Sequence, residues 1–546
     1  MAIKRYYASA DNTITNAFQD NLTTRGTGSN MGLSDILEVF SIYGQESSGS
    51  QELSRVLIQF DISGAANTIK VDRDNGVIPA LNEVDFYLKL YNAPHGETLP
   101  KDAILVIQAI TGSWGEGHGL DMEGYADLTN GNGGSNWEYR EDGPGTTREA
   151  WIRAGGRWHM KPVYTASFGA GTTGVTGSGP SADLNVNVTA IVEQWIAETK
   201  KNHGFIIRLT GSQEAKFESG GSRAGTDHNG MINNVTGSTT SYYTKKFFAR
   251  GTGLFYKRPC LEARWNSATK DDTANVYFSS SLAPQAENLN TIYMYNYVRG
   301  QLRNIPDIGT GPIWVELYSG SIGNTSPSTS SVLLPQGGGV VTAGNTVITG
   351  GYVSTGIYSA SFAITSSTDD YSPPSRLFSS DLTKVYAVWA NCGGHTQAGR
   401  IEFLTSSFRP KGFDTPALNP NTTYASNITN LKSVYSTNEQ ARFRVYVRQK
   451  DWNPTIYTKA SITPPVNVVD SGSYKFYRII DELDVIPYGT GSLMHTQMSY
   501  DVSGNYFDVD MGLFESGYAY GIKLAYYNGS IGSYVEQPET FKFRVE

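Results

Sequence analysis

The stretch Asp183–Leu209, DLNVNVTAIVEQWIAETKKNHGFIIRL, constrains this chain more than any other. Val188, Ile191, Val192, Trp195 and Ile196 recur at helical period and make one apolar face. Asn187 or Thr189 can cap its start by accepting from free backbone N–H groups. Lys200 and Lys201 suit the negative end of the helix dipole. Asn202 or Gly204 can take the left-handed conformation of a helix stop. Phe205, Ile206, Ile207 and Leu209 around Arg208 then read as a buried strand. This is the one strong helical signal in a chain otherwise rich in Thr, Ser, Gly and Tyr. It predicts a β-sandwich closed at one end by a single short helix.

A chain of 546 residues holds two to four domains. Only 17% of residues are charged and 34 are Tyr, a residue favoured in strands and at interfaces. The net charge of −8 argues against a nucleic-acid partner, which needs a basic surface. The two cysteines, Cys260 and Cys392, imply no disulfide framework. No run reaches the ~20 apolar residues of a membrane span, and MAIKRYYASADNTI carries no apolar leader core. A composition of extracellular type made in a cytoplasm fits a particle released by lysis, such as a virus particle.

The expected organisation is a first domain over 1–268, a β-sandwich domain over 269–410 and a C-terminal one over 411–546. In the first, Ile3–Ser9, Ile36–Tyr43, Ser54–Asp61, Val84–Tyr91 and Ile104–Ile110 read as strands, with Asn12–Gly32 polar and loop-like. The middle of Ser54–Asp61 is a nearly unbroken apolar run, which marks a central strand. A long insertion over 114–179, rich in Gly, Asn, Trp and acids, is a functional loop or an interface arm. Tyr242–Ala249 and Pro259–Trp265 close the domain. The second domain shows short strands such as Ile313–Tyr318 and Val385–Trp389, with a Ser/Gly-rich loop at Pro335–Gly351. Lys411–Ser426 reads as a linker, and Ala441–Val447, Tyr474–Asp481, Ala519–Tyr527 and Phe541–Val545 as the last sheet.

An ordered set of pieces in the first half carries a resemblance. They are Ser54–Ser63 (SRVLIQFDIS), Leu88–Tyr91 (LKLY), Thr111–Gly115 (TGSWG), Asn202-His203-Gly204 before its strand, Phe247–Arg250 (FFAR) and Arg258–Glu262 (RPCLE). Together they resemble the DNRLRE-type domain, a jelly roll related to carbohydrate-binding modules on bacterial surface proteins. One motif departs: Ala249-Arg250 is followed by Gly251 where that family has an acid. The resemblance implies a non-catalytic jelly roll used for attachment or scaffolding. Gln449–Pro454, Ile486–Gly489 and Ser503–Asp508 resemble modules in structural proteins of large tailed phages of marine cyanobacteria. That resemblance implies a place in a virion.

Candidate chemistry is sparse. Glu116, Asp121, Glu123 and Asp127 with His118 can offer oxygens to Ca²⁺, but no EF-hand spacing is present and a solvated polar loop explains them as well. Trp114, Trp137, Trp151 and Trp158 fall in the insertion. They can stack on a glycan, bury against a neighbouring subunit, or pin the insertion to its own domain. His159, His203 and His228 form no spaced metal set with any Cys; Asp481 and Asp484 follow a strand and could make a catalytic pair, but carboxylates at strand ends are far more often turn formers. No nucleophile elbow, P-loop or H-E-x-x-H is present.

The expected fold is therefore all-β: a jelly-roll sandwich with one short helix, then two smaller Ig-like sandwiches. The expected function is a non-enzymatic virion component without cofactor or metal. It would dock in several copies onto other virion proteins, with no nucleic-acid or membrane partner. A carbohydrate-binding adhesin for a host glycan is the alternative.

Overall fold

The computed structural model describes every residue except 1, 45–50, 65–67, 97–102, 121–123, 128–132, 144–147, 169–181, 218–232, 235, 281–283, 321–326, 328–335, 338–346, 365–383, 395, 412–423, 451–455, 457–466, 490–493 and 530. The fold is all-β. Contacts divide it into a first compact unit over Ala2–Asn266 and a second built from Ser267–Gly489 and Thr496–Glu546.

The first unit is a sandwich of two antiparallel sheets. Its strands are β1 (Ile3–Tyr7), β2 (Ala10–Thr15), β3 (Ile36–Tyr43), β4 (Gln51–Gln59), β5 (Val84–Leu90), β6 (Ala103–Ala109), β7 (Tyr139–Asp142), β8 (Arg148–Ala150), β9 (Tyr164–Phe168), β10 (Leu184–Asn187), β11 (Phe205–Leu209), β12 (Lys216–Phe217), β13 (Asn233–Asn234), β14 (Tyr242–Phe248) and β15 (Cys260–Trp265). One sheet runs β1-β15-β5-β10, the other β14-β3-β4-β11-β6-β9, with β2 added along β4. Val56 and Ile58 of β4, Leu105 and Ile107 of β6, and Phe205 and Ile207 of β11 point into the core between the sheets. Leu53 and Leu57 of β4 and Ile206 of β11 point to the opposite face, into a second core. Side chains alternate along a strand, so burial on both faces demands an apolar residue at nearly every position. This accounts for the unbroken run Val56-Leu57-Ile58.

Helix α1 spans Ile69–Asp74, α2 Thr189–Ile196 and α3 Gly211–Glu214. In α2, Ile191, Val192, Trp195 and Ile196 are buried, and the Trp195 ring meets Phe205 edge-on at 4.8 Å. The helix is shorter than the sequence predicts. It ends at Ile196, and Glu198 takes the left-handed conformation, so Lys200 and Lys201 lie beyond it. Asn187 Oδ1 accepts from the Thr189 backbone N–H at 3.0 Å, outside the helix itself. Gly204 also has positive φ, +82°, and a Cβ there would meet the Ile58 carbonyl oxygen at 2.1 Å. Glycine is thus required at the entry to β11.

Further elements depart from expectation. Ala10–Thr15 is a strand, although the sequence from Asn12 on reads as loop: it pairs along β4, and its polar side chains are buried there. Asn12 Nδ2 donates to the Ser135 carbonyl at 2.9 Å, and Met31 N–H donates to Asn12 Oδ1 at 3.0 Å. The 114–179 insertion rejoins the sandwich, since β9 pairs with β6. Val347–Ser354 overlaps the predicted Pro335–Gly351 loop yet pairs with Ile313–Gly320 and Ile357–Ala363. Tyr424–Ile428 overlaps the predicted linker yet pairs with Gln440–Gln449.

In the second unit, one sheet runs Asn290–Tyr295, Ile357–Ala363, Val347–Ser354, Ile313–Gly320, Lys384–Ala390, Glu402–Phe408. Its core holds Ile292, Val315, Leu317, Tyr358, Phe362 and Trp389. Two further sheets follow: Tyr424–Ile428, Gln440–Gln449, Gly504–Asp510, Ser499–Asp501, and Val434–Tyr435, Phe541–Val545, Ala519–Asn528, Gly472–Arg478, Asp484–Ile486. Phe443, Phe476, Phe507, Phe514 and Phe543 meet in their core, with Phe443–Phe507 and Phe476–Phe514 at 5.2 and 5.1 Å. Edge-on and offset contacts of this kind add about 0.5–1.5 kcal/mol per pair beyond the area they bury.

Candidate functional site

The insertion is the part of the first unit with distinctive chemistry. It folds back over the outer face of the β2-β4-β11-β6 sheet. Trp114, Trp137 and Trp151 join Ile14, Leu53, Leu57, Ile110 and Ile206 in the second core, with Trp158 half-buried against it. Trp114 Nε1–H donates to the His203 carbonyl at 2.9 Å, and Trp151 Nε1–H to the Asn136 carbonyl at 2.9 Å. Three of the tryptophans therefore hold the insertion to its own sheet and present no exposed row to a glycan or a subunit. Trp158 alone keeps a partly open ring.

Charge is sealed beneath these rings. Arg55 sits on the outer face of β4, two residues before Leu57. Its Nε–H and Nη2–H donate to the two Glu214 carboxylate oxygens, each at 2.8 Å, and Nη1–H donates to the Gly155 carbonyl at 2.6 Å. The guanidinium lies 5.0 Å from the Trp137 ring centre and 5.2 Å from that of Trp158. Arg208 of β11 covers Trp158 from 4.3 Å and donates to Gln108 Oε1 at 3.0 Å. Gly155 has φ +82°, and a Cβ there would strike Arg55 Nη1 at 2.5 Å and the Trp137 ring at 2.8 Å. Two arginines and a carboxylate thus clamp the aromatic layer.

A groove of about 760 Å³ opens beside Trp158 and Trp151. Arg140, Arg157, Lys201, His159 and His203 line it, and no Asp or Glu stands among its described lining residues. Arg140 is answered by Glu149. Burial, then Lys200, His203 and Arg157, pushes the His159 imidazole below its ordinary range. Burial, then Lys201 and Arg140, does the same for His203. Both rings are mostly neutral at pH 7, and the groove has a positive bias in a chain of net charge −8. Ile152 and Met160 on its rim are 73% and 76% exposed.

The acidic candidates have other work. Glu116 accepts from Arg250 Nε–H and Nη2–H at 2.9 and 2.7 Å and from the Asp11 backbone N–H at 2.9 Å. Arg250 finds its acid in the turn after Trp114, since Gly251 packs against the Ser34 carbonyl and leaves no room for a side chain. Asp127 accepts from the Leu120 N–H at 2.8 Å. Asp121, Glu123 and His228 lie outside the described residues. Among the described residues no three His, Cys, Asp or Glu side chains gather as a metal site. Asp481 accepts from Arg478 Nε–H at 2.9 Å, and Asp484 lies 3.9 Å from Lys475. Both cysteines are free thiols.

Sequence reasoning missed Arg55, Glu214 and Arg208. Their signal was an arginine inside or beside an apolar strand run, where a charge needs a buried partner. It also placed His159 and His203 in no common site, whereas the fold brings both to one groove.

These features define an all-β protein with a groove lined by aromatic and basic side chains. No family model matches the sequence, and no curated protein matches it. Among solved structures it has similarity to the two tandem V-type regions of VCBP3, a v-region-containing chitin binding protein, at 8% identity over 52% of this chain and 97% of that chain, TM-score 0.13. Chicken CNTN1 FN1–FN3 domains show 11% identity over 56% of this chain and 82% of that chain, TM-score 0.12. Trypsin-activated alpha-2-macroglobulin from Escherichia coli shows 10% identity over 82% of this chain and 29% of that chain, TM-score 0.14. At such TM-scores these likenesses carry no argument about function. Among the described residues no helix is long and apolar enough to cross a membrane.

Proposed function

We propose that the chain is a non-enzymatic structural protein of a tailed-phage particle, working in several copies by docking onto neighbouring proteins. The observation that carries the docking half is the groove rim. Ile152 and Met160 are large, apolar and mostly exposed, on a platform fixed by the tryptophan core and the Arg55–Glu214 pair. Exposed apolar side chains on a rigid support are what protein interfaces bury. The phage half rests on the resemblance of Gln449–Pro454, Ile486–Gly489 and Ser503–Asp508 to tailed-phage modules.

A second reading, a carbohydrate-binding adhesin, draws on the same groove. Trp158 offers part of a ring face and the arginine, lysine and histidine side chains offer donors, so a polar, negatively charged saccharide suits the lining. Light scattering on the full chain separates the two. A defined oligomer, lost in the Ile152→Asp/Met160→Asp double variant with unchanged melting, supports docking between copies. A monomer that binds host glycans, and loses them in Trp158→Ala, would displace that reading in favour of the adhesin.

A further inference from the structure

Lys245 of β14 carries an amine where water does not reach. The residue is 1% exposed. Its Nζ lies over two aromatic faces, 4.6 Å from the Phe168 ring centre and 5.1 Å from that of Phe247. Desolvation favours the neutral form of a buried amine. Burial, opposed by the Asp183 charge, pushes Lys245 down from 10.5 to about 8. A lysine desolvated in an apolar setting is a nucleophile.

An electrophile stands against it. Asn92 follows β5, in the opposite sheet, and bridges to Phe247 of β14. Backbone bonds on either side fix it there: Ala93 N–H donates to the Lys246 carbonyl and Phe248 N–H to the Tyr91 carbonyl, each at 3.0 Å. Lys245 Nζ donates to Asn92 Oδ1 at 2.5 Å and to the Ala182 carbonyl at 2.9 Å. A C=O bond is about 1.2 Å long, so Nζ lies within about 3.7 Å of Asn92 Cγ, the carbon an amine attacks. Reacting atoms held about 3–3.5 Å apart are poised to react.

A proton carrier completes the set. Asp183, just before β10, accepts from the Asn92 backbone N–H through Oδ1 at 2.8 Å. This holds a carboxylate beside the Asn92 side chain and near enough to Lys245 for its charge to act on the amine.

We propose that Lys245 and Asn92 join in an isopeptide bond that the chain forms by itself, with Asp183 carrying the protons. Nζ begins as an ammonium. It gives one proton to the Asp183 carboxylate, and the free amine attacks Asn92 Cγ. The Nζ–Cγ bond forms and the Cγ–Nδ2 bond breaks. The two protons that Nζ loses pass by way of Asp183 to Nδ2, which leaves as ammonium. Nothing is oxidised or reduced, and no co-reactant is consumed. The product ties β14 to the end of β5, residues 153 apart in the chain, and so staples one sheet to the other. Such a tie restricts the unfolded chain as a disulfide does, without an oxidising compartment. It depends on neither reading of the groove.

Mass spectrometry of the full chain, denatured after purification and then digested with trypsin, tests this. The intact chain is lighter than its sequence by one ammonia. The digest contains a branched peptide in which 90–101 is joined to 224–246, uncut after Lys245. Lys245→Met and Asn92→Ala each restore the full mass, and Asp183→Asn leaves the two peptides separate. A parent chain of full mass that yields the two peptides unlinked overturns the proposal, and this result needs no variant to fold. Loss of ammonia without the branched peptide, as a succinimide at an Asn-Gly step would give, overturns it too. A branched peptide that forms as completely in Asp183→Asn overturns the proton path.

Discussion

Replacing Arg55 by Met tests whether the clamp beneath the tryptophans holds the insertion down. Methionine keeps most of the volume of the arginine stem, so packing is little changed. The charge is lost, and among the described residues Glu214 keeps as ion-pair partner only Arg208, at 3.9 Å, in a site where its side chain is 5% exposed. Removing one partner of a buried ion pair costs about 3–5 kcal/mol, because the other charge is left uncompensated. The hydrogen bond to the Gly155 carbonyl goes with it. For a unit of this size 1 kcal/mol moves the melting temperature by about 2–4 °C, so a fall on the order of 10 °C is expected. Tryptophan fluorescence during heating is the natural readout, since Trp137 and Trp158 flank the guanidinium. The triple variant Arg55→Met/Arg208→Met/Glu214→Met removes all three charges of the clamp, leaves none of them uncompensated, and recovers most of the loss. A single variant that melts within about 2 °C of the parent would refute the reasoning by that same conversion. So would a triple variant as unstable as the single, which would assign the effect to packing.

Other consequences follow from single residues. Burial, the dominant effect, pushes the Asp11 carboxyl from 3.8 up to about 7; Glu116 adds to the rise, while the Arg250 N–H bond and the Arg250 and Arg258 charges oppose it. The folded state therefore holds a proton that the unfolded state has released, and stability falls as pH rises between those values. Asp11→Asn matches the parent near pH 4 and exceeds it near pH 8, by up to about 4 kcal/mol at 1.36 kcal/mol per pKa unit; urea midpoints that differ equally at both pH values would count against this. Gly204→Ala forces a Cβ against the Ile58 carbonyl at positive φ and should cost on the order of 3 kcal/mol; a variant melting with the parent would show that the turn can relax.

The sequence by itself determined the strands and helix whose burial is locally periodic. Val188 to Ile196 marks α2, Phe205 to Leu209 marks β11, and Val56-Leu57-Ile58 marks a strand buried on both faces. Each signal works because burial on a regular backbone writes its period into adjacent residues. Polar strands escaped: Ala10–Thr15 is ordered by bonds to Ser135 and Met31, residues far along the chain, so no local pattern announces it. The tryptophans were legible as a group but not in their role, because composition does not say whether a ring faces solvent or a sheet. Only the tertiary structure decided that Trp114, Trp137 and Trp151 are core and that Trp158, beside Trp151 at the groove, is the one of the four with a partly open ring. Only it placed Arg55 against Glu214, 159 residues apart, and Arg442 against Asp508, 66 apart. Such pairs form when distant strands are brought into register, and a charge carries no mark in sequence of the partner it will meet.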